Sequence, residues 1–156
     1  MGLTKPSNLK YLNVSLGRIR KAVPVGTPDA VERKNGKTGE TIYELVWQDV
    51  SGILEDVQFR QHDEYGNSWI VQLRDGTEKF ALQVQENSRY GGDLLKKLPS
   101  LVSGRIYKFT PYDYEKNRKR KQGLAIETDS GDRIQSYYQK FTENADKTWT
   151  VENLFG

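Results

Sequence analysis

The sequence contains no cysteine, one histidine and one methionine. Without cysteine there is neither a disulfide nor a thiolate metal site, which suits a reducing cytoplasm. The lone histidine, His62, lies in the polar stretch QHDEYG with no second histidine to share a metal, so a solvated side chain is expected. No apolar run approaches the roughly 20 residues that span a bilayer. The opening MGLTKPSNLKYLNV lacks the apolar core of a signal peptide, and Pro6 stands where a myristoylation pattern requires Ser or Thr. A P-loop, a GxGxxG motif and a supported Ser/His/Asp set are also missing. The expectation is a soluble, cytoplasmic protein that is not an enzyme and needs no cofactor, metal or membrane.

What is present is modest in amount but ordered in pattern. Of 156 residues, 35% are hydrophobic, below the usual share of about 45–50%. Val, Ile, Leu, Phe, Trp and Tyr recur in strand-like runs, enough for one modest core and one domain. The net charge of +3 is small, yet its distribution is uneven. Residues 1–22 carry Lys5, Lys10, Arg18, Arg20 and Lys21 with no acid, and KNRKRK (Lys116 to Lys121) puts five cations into six positions. Acids such as Glu55, Asp56, Asp63 and Glu64 concentrate between them. Local basic stripes under a moderate net charge suit a polyanion held along one groove.

Residues 1–10 read as a basic arm, 11–141 as one domain and 142–156 as a C-terminal extension. Tyr11 to Val23 alternates like a strand, and Pro24 to Glu40 reads as a long loop rich in Pro, Gly, Asn and Asp. Thr41 to Asp63 is long enough for two strands meeting at Ser51-Gly52, and EYGN (Glu64–Asn67) turns into SWIVQLR. Asp75-Gly76 between two alternating runs is a hairpin signal leading into TEKFALQVQ. The period then changes: Ser88 to Leu101 reads as one short helix, with Asp93 as its N-cap and Pro99 as its stop. Strands resume in GRIYKFTPYDY, break at the basic run, return in GLAIETD, and follow a turn at Ser130–Asp132 in RIQSYYQKF.

From Ser51 onward the order is strand, strand, strand, short helix, strand, strand. That is the order of a five-stranded OB-fold barrel, whose ligands lie across its second and third strands between the first–second and fourth–fifth loops. The fold class expected is therefore all-β with one short helix, OB-fold-like, with an extra N-terminal strand or hairpin. In ELVWQDVSGILEDVQF, WIVQLRDGTEKFALQVQ, DLLKKLP and GRIYKFTPYDYEKNRKRKQGLAIET followed by RIQSYY, the chain resembles the OB-fold single-stranded-DNA-binding proteins of bacteriophages. The resemblance covers roughly residues 42–141. It implies sequence-tolerant binding of single-stranded DNA, with single-stranded RNA as the alternative, in phage replication, recombination or repair alongside the proteins of those processes. Members of this family often carry an acidic tail that recruits partners, whereas this sequence ends VENLFG; either such a tail lies beyond it or recruitment works differently.

Such binding needs cations for phosphates and exposed rings on which bases stack. Alternation leaves Arg74 and Lys79 as outer-face cations on either side of the DG turn, and puts Trp69 in phase with Val71 and Leu73. Trp69 and Trp47 each have a core reading and a stacking reading. In the fourth strand Arg105, Tyr107 and Phe109 share one phase, while Lys108 shares the other with Ile106, Thr110 and Tyr112; either phase can be the buried one. Tyr112 and Tyr114 flank the basic run as stacking candidates, with Lys116, Arg118, Lys119, Arg120 and Lys121 as phosphate ligands in the fourth–fifth loop. Tyr137 and Tyr138 are adjacent, so one of them points outward in a strand. Arg89 and Tyr90, before the helix, fit a turn.

Blander readings stand beside these. A charged loop can be merely solvated, and RKRK matches a nuclear address. Glu127, Asp129 and Asp132 could serve a Mg2+-dependent nuclease, but turn chemistry accounts for them. A β-barrel interaction or assembly module without nucleic-acid binding is the main rival.

Overall fold

The computed structural model describes residues 9–64 and 66–136, together with the backbone of two short strands, Phe141–Glu143 and Trp149–Val151. Tyr137 and Tyr138 lie outside the described residues. The strands in order are β1 (Leu9–Ser15), β2 (Arg18–Val23), β3 (Val31–Lys34), β4 (Thr41–Trp47), β5 (Val50–Arg60), β6 (Ser68–Asp75) and β7 (Glu78–Gln85). After helix α1 (Arg89–Lys97) come β8 (Ile106–Lys116) and β9 (Lys119–Thr128), with the two short strands as β10 and β11. The fold is all-β with one short helix, as the alternating runs predict. Among the described residues no helix is long and apolar enough to cross a membrane.

β1 to β9 form one mixed sheet in the order β3-β4-β2-β1-β7-β6-β5-β8-β9. Strands β5 to β9 keep the expected order, with α1 between the third and fourth of them, but their ladder does not close into a barrel. In place of β9, β1 pairs with β7, in parallel from Leu9↔Lys79 to Asn13↔Gln83. The N-terminal addition is four strands rather than a strand or hairpin. Tyr11 to Val23, expected as one strand, reverses at Leu16-Gly17, both at positive φ. A Leu-Gly pair is not the Asn-Gly or Asp-Gly that marks such a turn. The stretch expected as a loop at 24–40 contains β3, an edge strand with no buried residue and hence no period to read. The turn before β5 falls at Gln48-Asp49 instead of Ser51-Gly52. Gly52 sits within β5, where a Cβ would stand 2.9 Å from the Arg74 carbonyl oxygen.

One face of the sheet curls around the core. Leu12, Ile19, Leu54, Val71, Leu73, Leu82, Tyr107, Phe109, Leu124 and Ile126 are at most 4% exposed, each burial contributing about 1.5–3 kcal/mol. Ile19, from a strand outside the five-strand set, is fully buried in that cluster and ties the N-terminal sheet to the rest. Side chains then close the seam that no backbone ladder closes. The Tyr90 hydroxyl accepts from the Gly17 N–H (2.8 Å) and from Gln122 Nε2 (3.0 Å), joining the β1–β2 turn to β9. On the edge of β9, Asp93 Oδ2 accepts from the Leu124 N–H (2.8 Å) and Lys97 Nζ donates to the Leu124 carbonyl (2.7 Å). Asp93 therefore does not cap the helix. Ser88 does, its hydroxyl accepting from the Gly91 N–H at 3.1 Å.

Candidate nucleic-acid interface

The basic run does not interrupt the strands. β8 continues to Lys116 and β9 starts at Lys119, so the fourth–fifth connection is only Asn117-Arg118, both at positive φ (53° and 62°). A two-residue turn of this hand matches the twist of the flanking strands. The period of two then divides the run between two faces. Cross-strand partners Tyr112↔Gly123, Tyr114↔Lys121 and Lys116↔Lys119 share one face; Asp113↔Gln122 and Glu115↔Arg120 share the other. Every residue from Tyr114 to Lys121 is exposed, so the hairpin end stands clear of the body.

The first face combines rings and cations. Tyr114 is 52% exposed, and its ring centroid lies 5.8 Å from that of half-buried Tyr112, with planes tilted by 41°. Tyr112 is anchored: its phenol and the Asp93 carboxylate fill the space a Cβ at position 123 would need, which only glycine leaves free. Burial, and then the negative charge of Asp93, push the Tyr112 hydroxyl above the ordinary tyrosine range, so the ring stays neutral. Lys116, Lys119 and Lys121 make no ion pair with any described residue. Lys116 and Lys119 stand directly opposite each other, a like-charge pairing that is unfavourable without an anion.

The second face is neutralised from within. Arg120 forms a two-pronged pair with Asp113, Nε to Oδ1 at 2.9 Å and Nη2 to Oδ2 at 2.6 Å. That bond holds the Asp113 carboxyl below the ordinary aspartate range and raises the Arg120 guanidinium. Arg120 thus leaves the set of free phosphate ligands. Its role is to fix the hairpin, with Gln122 Nε2 donating to the same Asp113 oxygen at 3.3 Å.

The remaining predicted positions separate clearly. Tyr107 is core, 2% exposed, its hydroxyl accepting from the Val102 N–H at 2.9 Å; this fixes Tyr107 and Phe109 as the inner phase. Arg105 precedes β8 in an exposed turn. Lys108, in the outward phase, pairs with Glu127 across the ladder (3.6 Å). Arg74 and Lys79 are cross-strand neighbours on the outer face; Arg74 reaches Glu55 (3.8 Å) and Lys79 is exposed. Trp69 is half-buried against the core, 4.9 Å from the Phe59 ring, with its buried Nε1 unpaired among the described residues. Sequence reasoning missed Tyr11, which is 45% exposed and pairs in register with Ala81 on the Arg74–Lys79 face. Its alternation with Leu12 signalled an outward ring, but the parallel β1–β7 pairing that places it has no local signature.

Among the described residues no group of three or more His, Asp or Glu is placed to hold a metal ion. No family model matches the chain, and neither curated proteins nor solved structures gave a significant match.

Proposed function

We propose that this chain is a non-catalytic, sequence-tolerant single-stranded-DNA-binding protein that protects the strand during replication, recombination or repair in the cytoplasm. The observation that carries this reading is the outer face of the β8–β9 hairpin. It sets an exposed tyrosine beside three lysines that pair with no described residue and holds two of those lysines opposite each other, an arrangement that a polyanion relieves. Arg118, held at positive φ at the tip, adds a fourth cation at a position where glycine would be less strained. Phosphates would lie along Lys116, Arg118, Lys119 and Lys121, with a base stacked on Tyr114 against the Tyr112 backstop.

Fluorescence anisotropy with labelled oligo-dT, oligo-U and an equal length of duplex tests this at about 50 and 200 mM salt. Tighter binding of the single strands, falling steeply with salt, is expected. Equal affinity for duplex, or indifference to salt, would refute the proposal.

A further inference from the structure

A second concavity lies away from the hairpin, at the end of the curled sheet between the β4–β5 and β6–β7 turns. It is a cleft of about 400 Å³, within the range of small-molecule sites. Half of its lining residues come from β1, β2 and β4, strands outside the five-strand order. Leu12 and Ile19 form an apolar floor; the 40% exposed Trp47 and half-buried Phe80 give aromatic walls. The rim is mixed in sign. Lys10 is engaged with Glu78 at 3.3 Å and lies 5.9 Å from the Phe80 ring centre. That leaves Lys21 as a donor and Asp49 and Asp75 as acceptors, none of them in an ion pair with a described residue.

This rim disfavours a phosphate, which would meet three carboxylates and two ammoniums. It suits a flat, neutral ring whose edge offers both a donor and an acceptor. We propose that the cleft takes one unstacked nucleobase bearing an exocyclic amine, the ring lying against Trp47. A carboxylate of Asp49 or Asp75 accepts from the amine, and Lys21 donates to a ring nitrogen or carbonyl. Cytosine has this edge, with its N4 amine beside the N3 and O2 acceptors, whereas uracil and thymine present a carbonyl where the amine would be. The base could belong to a free nucleoside or to a strand held by the hairpin; the second form rests on the function proposed above.

Cytidine and uridine, which differ at that one group, are titrated into the 15N-labelled chain while the Trp47 indole and the Lys21 and Ser51 amides are followed by NMR. Cytidine should shift these signals saturably and bind at least about tenfold tighter than uridine, the difference one charge-assisted hydrogen bond makes. In Asp49→Asn/Asp75→Asn that ratio should fall towards one, and Trp47→Ala should weaken both nucleosides; both variants change exposed positions. Equal shifts with the two nucleosides describe a generic apolar pocket and overturn the proposal, as does the absence of any shift. A parallel arm compares oligo-dC with oligo-dT on wild type and Trp47→Ala. If oligonucleotides bind while the nucleosides leave the cleft unmoved, the cleft assignment falls and the hairpin reading stands. If cytidine binds the cleft but no oligonucleotide binds the chain, the hairpin reading falls and the cleft is a nucleoside site.

Discussion

Two basic stripes mark this sequence, one near the N-terminus and one at 116–121, and the arginine network built on the first contrasts with the lysines of the second. Arg20, joined by Arg33 from β3, folds its charge inward onto Glu44. Arg33 Nε donates to Glu44 Oε1 at 2.8 Å and Nη2 to Oε2 at 3.3 Å, while Arg20 Nη1 reaches Oε1 at 3.4 Å. Glu44 is 7% exposed, so this is a part-buried network. Among the described residues Arg120 alone in the hairpin finds such a carboxylate, and the lysines keep their charge outward. Positive charge in a sequence is therefore uninformative until each cation has been asked whether an acid waits for it.

The comparison breaks most readily at the hairpin. Lys116→Gln/Lys119→Gln/Lys121→Gln should weaken oligo-dT binding by about 10- to 100-fold at low salt and lower the salt slope by about 2, the share of three phosphate contacts. Arg120→Gln, one position away in the same run, should leave that slope nearly unchanged; an equal loss would show that strand phase does not sort the cations. Tyr114→Ala should cost about 1–3 kcal/mol of binding in the same assay, with unfolding in urea barely altered.

The inner network should answer to stability and not to DNA. Glu44→Ala leaves two guanidiniums without their carboxylate and should cost about 1–3 kcal/mol in urea unfolding while sparing oligo-dT affinity. The Arg33 hydrogen bond, opposed by burial and helped by the charges of Arg33 and Arg20, holds the Glu44 carboxyl below the ordinary glutamate range. Its contribution is therefore complete above the unfolded value of about 4.3 and is lost as pH falls through the lower folded value. Acid titration of stability should show this loss in wild type and lack it in Glu44→Gln. The smallest effect is expected at the turn. Arg118→Gly relieves a positive φ and should raise stability by up to about 1 kcal/mol while binding weakens a few-fold. A change of the same sign in both would argue against a trade between them.

Much of this was legible from local pattern. Strands β5 to β9, the DG turn and the helix announce themselves by period and turn chemistry, because those signals act over a few residues. The N-terminal sheet did not. β3 has no buried residue, the Leu16-Gly17 reversal lacks a turn signature, and the parallel β1–β7 pairing joins residues 70 apart in sequence. At the candidate interface, residue types were readable and allegiance was not. Nothing in RKRK distinguishes Arg120 from its neighbours until the two-residue turn fixes which residues share a face with Asp113. Tyr107 shows the same limit, since either phase of β8 had apolar residues enough to be the core.

The junction of α1 with β9 has a consequence for motion. An OB barrel closed by a backbone ladder would have its seam protected by a row of amides that open together. Here the Leu124 amide is held by one carboxylate and the Leu124 carbonyl by one ammonium, both from one face of α1 on successive turns. The helix thus works as a clasp, and a single local opening of it exposes that amide to solvent. Amide hydrogen exchange at Leu124 should accordingly run at its own rate, set by the excursions of α1 rather than by global unfolding.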